Sequence, residues 1–273
     1  MPAASALNRI FAANRAAGHI ALEVSAQGGV TRRVRVGEDG PLRVRFPRPD
    51  SSILEAMIVN TAGGIAGGDR HRLDISLGHG ARLAVTTAAA EKVYRSLGPP
   101  ADIGVRLRAE AGAQLRWLPQ ETILFDRASL RRRIEVDLIG DASLLMAEAV
   151  VFGRSAMGEQ VRHGLLSDHW RFRRDGRLVF AETARLDGPI AERLGESAVA
   201  NGTAAIATVL ASPVGEAAVE RVRASSFFGE VGISAWNGLA VARLCAKDGA
   251  GLRGDLAAVL TALGGELPRL WLN

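Results

Sequence analysis

Through roughly the first 200 residues, apolar side chains recur at every second position, and this period constrains the fold more than any other feature. In "TRRVRVGEDGPLRVRFP", Val34 and Val36 alternate with arginines, a Gly-Glu-Asp-Gly-Pro turn follows, and Leu42, Val44 and Phe46 resume the alternation. That pattern predicts a hairpin of half-buried strands. Leu73, Ile75 and Leu77 share one face, as do Ile103, Val105 and Leu107, and a glycine turn then leads to Leu115 and Trp117. Ile134, Val136 and Leu138 precede a Gly-Asp turn. Trp170 and Phe172 are separated from Leu178 and Phe180 by Asp175-Gly176, a strong hairpin signal between alternating segments. Short strands at intervals of about 10 to 15 residues predict a mainly β protein, a large multi-sheet body built as a sandwich or a solenoid-like stack. No residue motif is read as recurring at a fixed period.

The period changes near the C-terminus. Ser212-Pro213 reads as an N-cap and first-turn pair. Early Glu216 and Glu220 with late Arg221 and Arg223 suit a helix dipole. A second helix is expected near Leu252 to Leu263, with Leu252, Leu256, Val259, Leu260 and Leu263 as its apolar stripe and Gly264 and Pro268 as stop signals. No Pro/Ser-rich linker divides the chain, so residues 1–273 are expected to form one β-rich domain with about two α-helices near its end. Residues 1–17, rich in Ala and Arg, are expected to be a loose N-terminal arm.

Composition narrows the functional classes. With 48% hydrophobic and 23% charged residues and no apolar run of the ~18 residues a membrane span requires, a soluble, cytoplasmic globular protein is expected. A single cysteine, Cys245, excludes an internal disulfide and a Cys-based zinc site within one chain, and its apolar neighbours point to a packing role. The net charge of +5 is carried almost wholly by arginine, lysine occurring only at Lys92 and Lys247. Arginine pairs with carboxylates and phosphates bidentately, so an acidic partner fits.

The stretch "NTAGGIAGGDR", Asn60 to Arg70, resembles a phosphate-binding loop at first sight. Gly63 and Gly68 have Walker A spacing, but Asp69 and Arg70 stand where Lys and Ser or Thr are required. No G-x-G occurs in it, and a strand follows rather than a helix, so the dinucleotide fingerprint fails too. Gly63, Gly64, Gly67 and Gly68 therefore read as a structural turn between strands. "GRSAMG" misses the nucleophile-elbow spacing by one residue. The five histidines show neither H-x-H nor H-E-x-x-H. Arg131, Arg132 and Arg133, like Arg171, Arg173 and Arg174, alternate with apolar residues or acids, which reads as the solvated face of a sheet rather than a nucleic-acid surface. Glu121, Glu148, Glu159 and Glu182 lie beside apolar residues, where buried carboxylates need partners that arginine can supply. A carboxylate-based hydrolase and a nucleotide or nucleic-acid binder stay open on these residues alone.

Six collinear stretches together resemble one family. They are the Gly63–Asp69 loop, "TTAAAEKVYRS" from Thr86, "WLPQETILFDRA" from Trp117, "EAVVFGRSAMGE" from Glu148, "DGRLVFAETARLDG" from Asp175 and the closing "LPRLW". Their order is similar to that of the urease accessory protein family UreD, called UreH in some organisms. Two departures stand out: Thr61-Ala62 and Ala88-Ala89 occupy positions where the family often has Pro-Pro and Pro-Gly. The resemblance implies a largely β fold and a non-catalytic scaffold or chaperone. Such a scaffold binds apo-urease and the helical accessory protein UreF and, through UreF, recruits the GTPase UreG, so that nickel is loaded into the urease active site. It implies no tightly bound cofactor, nickel only in transit, and no nucleic-acid or membrane partner. An internal polar passage for nickel has been proposed for the family, and Asp69, Glu121, Glu148 and Glu182 are the candidates to line it here. Weak oxygen ligands suit a passage because the ion must leave again.

Overall fold

The computed structural model describes residues 15–47, 52–154 and 157–271. Its strands form two sheets. The first contains β1 (Ala17–Gln27), β2 (Val30–Asp39), β5 (Arg70–Leu77), β8 (Ala101–Ala109), β11 (Ser129–Leu138), β13 (Gly164–Arg174) and β14 (Arg177–Gly188), in the order β14-β13-β11-β8-β5-β1-β2. The second contains β3 (Leu42–Arg45), β4 (Leu54–Asn60), β6 (Arg82–Thr87), β9 (Gln114–Trp117), β12 (Ser143–Phe152), β15 (Ala205–Ser212), β16 (Glu230–Trp236) and β17 (Leu239–Ala246) in the order β16-β17-β15-β12-β9-β6-β4-β3. Two short strands, β7 (Glu91–Val93) and β10 (Thr122–Leu124), extend it beside β12.

The middle of the molecule is wound like a solenoid. The chain passes from β5 to β6, from β8 to β9 and from β11 to β12, changing sheet each time, and successive coils stack in parallel. The corners share a device. Gly80, Gly112 and Gly140 take φ of 65°, 70° and 54°, which an L side chain rarely adopts. Each corner is tied to the next coil: Gly80 N–H donates to the Ala111 carbonyl (3.1 Å), and Gly112 N–H to Asp141 Oδ1 (2.7 Å). The residues after these glycines repeat as well, Gly80-Ala81-x-Leu83, Gly112-Ala113-x-Leu115 and Gly140-x-Ala142-x-Leu144, and all six of the named Ala and Leu side chains are buried. A degenerate repeat is therefore present where none was expected from sequence. Its spacing varies from coil to coil, which hides it from a fixed-period search.

The core lies between the sheets. Ile20, Leu22, Leu73, Ile75, Val105, Leu107, Ile134 and Val136 of the first sheet face Leu83, Val85, Leu115, Trp117, Leu144 and Met146 of the second. A second apolar cluster covers the outer face of β12, β15 and β17 with helix α3 (Gly249–Ala262), after α1 (Ile190–Gly195) and α2 (Glu216–Arg223). Leu252, Leu256, Val259 and Leu260 are the buried stripe, and Asp248 caps α3 by accepting from Gly251 N–H (2.8 Å).

Four expectations change. The segments around Val34 and Val44 are not a hairpin: β2 pairs with β1 and β3 with β4, in different sheets, and Val34 and Val36 are exposed. Glu38 joins them instead, its Oε1 accepting from Val44 N–H (2.6 Å), because a side chain can satisfy an edge backbone group that lacks a ladder partner. Ser212 ends β15 rather than capping a helix. Pro213 follows it through a cis peptide bond, and α2 begins at Glu216 with Gly215 as N-cap. The arm expected over residues 1–17 falls outside the described residues as far as residue 14, and Ala16 and Ala17 belong to the folded body, where Ala16 accepts from Arg70 N–H (2.9 Å). Arg132, assigned to a solvated face, is buried and faces the core, as described next.

Candidate functional site

Asn60–Arg70 connects β4 to β5 across the end of the molecule. Gly63, Gly64 and Gly68 have φ of 76°, 152° and 89°. Gly67 is required by crowding, since a Cβ there would stand 2.7 Å from Ser96 Cβ. Ile65 is buried and its N–H donates to the Lys92 carbonyl (2.7 Å), while Tyr94 Oη donates to the Gly63 carbonyl (2.8 Å). Asp69 closes the turn. Its Oδ2 accepts from Ala66 N–H (2.7 Å) and its Oδ1 from Ala16 N–H (2.8 Å). Both carboxylate oxygens are thus engaged by backbone donors, an Asx-type arrangement extended to a second segment.

The four glutamates singled out from sequence each meet an arginine. Glu121 Oε2 accepts from Arg253 (2.8 Å), Glu159 from Arg154 (2.6 Å), and Glu182 accepts bidentately from Arg243 (2.6 and 3.0 Å). Glu148 has a deeper partner. It lies on β12 and pairs with Arg132 of β11, whose guanidinium also makes a two-pronged contact with Asp168 of β13. The second Glu148 oxygen accepts from Trp117 Nε1 (2.7 Å). Arg132, Glu148 and Asp168 are 4%, 5% and 7% exposed, so this ion network spans the interior from one sheet to the other.

Periodicity explains how the charges came to be inside. On β11, Leu130, Arg132, Ile134, Val136 and Leu138 all face inward, and Arg132 takes one core position. On β13, Leu166, Asp168, Trp170 and Phe172 do the same, and Arg132 and Asp168 are direct partners in the parallel register. Three adjacent arginines disguised the buried one. The signal was available: a charged residue in phase with the apolar set on each of two strands. Burial opposes the Arg132 charge, but Asp168 and Glu148 outweigh it and raise its proton affinity further. Burial pushes the Glu148 carboxyl up, against the pull of Arg132 and the Trp117 hydrogen bond.

Two cavities flank this network. One, of about 40 Å³, is lined by Arg132, Glu148, Asp168, Glu182 and Thr208 among others. The other, of about 70 Å³, is lined by His71, Glu91, Gln120, Thr122, Arg132 and Glu148 together with apolar side chains. Either exceeds the ~10–15 Å³ that one water requires. Arg132 and Glu148 belong to both walls. The structure therefore brings Glu148 and Glu182 to one cavity. Asp69 and Glu121 are not among the residues lining either one. The larger cavity has residues that sequence reading did not select. His71 is buried and its Nε2 has no hydrogen-bond partner among the described residues; burial lowers its pKa most, Asp69 opposes that, and Arg72 adds to it. Glu91 accepts from Asn60 Nδ2 (3.1 Å), and burial pushes its pKa from 4.5 up to about 7. Among the described residues, no group of three or more His, Cys, Asp and Glu side chains is placed to hold a metal ion.

The profile described as UreD urease accessory protein matches residues 16–272. The chain belongs to the UreD urease accessory protein family. Relatives with the same description agree over nearly the full length. A UreD of Rhodopseudomonas palustris strain BisB18 is 60% identical over 267 residues, covering 97% of this chain and 96% of its own. That of strain BisA53 is 59% identical over 266 residues, covering 97% and 93%. A Bradyrhizobium protein described as UreD 3 is 58% identical over 273 residues, covering 99% and 98%. The resemblance first carried by the six motifs is thus a family relationship over residues 16–272. The family is one of accessory proteins, so the chain is a non-catalytic assembly factor. That assignment removes the hydrolase reading of its carboxylates. No helix of the described residues is long and apolar enough to cross a membrane.

Proposed function

We propose that this chain acts in urease maturation as a single-domain cytoplasmic scaffold. It holds apo-urease and a UreF-like helical partner together, recruits the UreG GTPase through that partner, and passes nickel toward the urease active site between its two sheets. Nickel is cargo here, not a resident cofactor. The observation that supports the route is a pair of cavities that share Arg132 and Glu148 as wall residues, with Glu182 on the wall of one and Glu91 on the wall of the other. Hard oxygen donors at intervals bind a divalent ion weakly enough to release it. Within this reading Glu148 and Glu182 face the route. Asp69 shapes the turn at its end, and Glu121 fixes the Gln120–Thr122 wall through Arg253.

The test is urease activation in cells that lack their own UreD and express this chain with the other urease genes. An E148Q/E182Q variant removes both charges at nearly constant shape. Co-purification of UreF, UreG and apo-urease should be retained, and the nickel content and activity of urease should fall at least tenfold, a loss of about 1.4 kcal/mol or more in transfer. Full activation by the double variant would overturn the route and leave only the scaffold.

A further inference from the structure

We infer that the cleft between the tips of the β13–β14 and β16–β17 hairpins is a docking groove for an extended, acidic and aliphatic segment of a partner polypeptide. The cleft has a volume of about 400 Å³, the size of a ligand pocket, and shares no wall residue with the two cavities beside Arg132. Its assignment is therefore independent of the nickel route. Leu178, Val179 and Trp236 form its exposed apolar wall, which the buried Phe172 and Leu239 complete. A bulge accounts for the first two. Val179 is an extra residue between the pairs Phe172–Phe180 and Arg173–Leu178, so consecutive side chains that a regular strand would send to opposite faces both reach the cleft. Trp236 is presented from the other sheet by the Asn237-Gly238 turn, with φ of 49° and 74°, and its ring centroid lies 6.4 Å from that of Phe180.

Charge decides what kind of segment fits. Arg174 and Arg177 both line the cleft and are direct cross-strand partners, so two like charges face each other at the end of the hairpin. No acidic side chain lines the cleft, and neither guanidinium has a carboxylate partner among the described residues. Arg174 donates to the carbonyls of Gly140 and Ala142 (3.1 Å) and to Ser212 Oγ (3.0 Å). Asp175, next to Arg174 in the turn, has its Oδ1 engaged by Gly140 N–H (2.8 Å). A carboxylate from outside would relieve the repulsion, and Arg177, exposed and without a hydrogen bond of its own among the described residues, can take it bidentately. Main-chain bonding is available beside it, since β14 pairs with β13 on one side and with no described strand on the other. An incoming strand can pair with such an edge while its alternate side chains supply specificity. Aliphatic residues suit the wall of Leu178, Val179 and Trp236, and acidic ones suit the two arginines.

The experiment titrates the full-length chain with a fluorescein-labelled, amidated peptide of alternating glutamate and valine, read by anisotropy, and with its counterpart in which glutamine replaces glutamate. The acidic peptide should bind saturably, and the glutamine peptide at least tenfold more weakly. R177E and V179E should each weaken binding of the acidic peptide at least tenfold. Both positions are exposed, so the variants should melt as the parent does. An unlabelled acidic peptide should shift the tryptophan emission to the blue, and W236F should abolish the shift, because Trp117, Trp170 and Trp271 are buried. Equal binding of the two peptides, binding of neither, or unchanged affinity in both R177E and V179E would overturn the inference. Tighter binding of sodium octanoate than of the acidic peptide would also overturn it, assigning the cleft to a free carboxylate. So would a dimer of the parent that R177E abolishes, which would give the cleft to a second copy. The nickel route is tested by urease activation with E148Q/E182Q, a separate readout, so either idea can fall without the other.

Discussion

At Glu91 the surroundings act on one proton in opposite directions. Burial raises its pKa, and the hydrogen bonds from Asn60 and from the Lys92 backbone lower it, leaving it at about 7. The consequence for stability has a definite sign. Below pH 4.5 the carboxyl is protonated in both folded and unfolded chains. Between 4.5 and about 7 the unfolded chain gives up its proton while the folded one retains it, so stability falls as pH rises through that window and stays lower above it. At ~1.4 kcal/mol per unit the upper bound is about 3 kcal/mol. Glu91→Gln removes the titration, so its melting temperature relative to the parent should climb from pH 5 to pH 8, and parallel curves would show that the Glu91 proton is not coupled to folding. His71 acts at the other side: burial keeps it neutral in the fold, so it opposes stability as pH drops through 6.5. Asp69 illustrates a different residue-scale outcome. An acid that attracted notice as a ligand spends both oxygens on the backbone donors of Ala16 and Ala66.

Helix α3 and the segment after it hold the Leu118–Glu121 stretch, of which Gln120 lines the larger cavity. Asp255, buried within α3, accepts from Phe228 N–H (2.7 Å) and Gly229 N–H (2.8 Å), tying the helix to the approach of β16. Beyond α3, a short 3₁₀ turn at Arg269–Trp271 docks on the strand-free stretch after β9. Trp271 Nε1 donates to the Leu118 carbonyl (3.0 Å), and Gln120 Nε2 donates to the Leu270 carbonyl (3.1 Å). Arg253 lies over the Trp271 ring at 5.5 Å while gripping Gln120 and Glu121. Gln120 and Thr122 line the cavity, so the C-terminal segment sets the position of its wall. Trp271→Ala should cost about 3–5 kcal/mol of stability, as for other buried aromatics. It should also speed hydrogen exchange across Leu118–Thr122 more than across β5 or β8. Uniform acceleration would mean that the segment stabilises the whole molecule and not that wall.

Across the whole molecule, the network of Arg132, Glu148 and Asp168 is the one place where three buried charges join the two sheets among the described residues. Buried ion networks are poor stabilisers: replacing all members with apolar residues is often neutral or favourable by about 1–4 kcal/mol, whereas removing one member is costly. R132M/E148L/D168L should therefore melt no lower than the parent yet fail to activate urease. A clear fall in melting temperature would give the network a structural purpose instead. Much of this architecture was legible beforehand. The alternation of Leu73, Ile75 and Leu77 or of Ile134, Val136 and Leu138 dictates strands with one inward face, and the 3.6-residue spacing of Leu252, Leu256, Val259 and Leu260 dictates a helix, because both periods are local properties of the backbone. The Asp175-Gly176 hairpin follows from the same local rules, with φ of 50° and 75°. Motif order was enough to indicate the UreD family. What the tertiary structure alone decided is which strands are neighbours. The segments of Val34 and Val44, adjacent in sequence, went to different sheets, while Arg132, Glu148 and Asp168, up to 36 residues apart, were brought to one point. Phase along a strand says that a side chain faces inward. What it meets there depends on coil stacking and sheet separation, which are set by contacts distant in sequence.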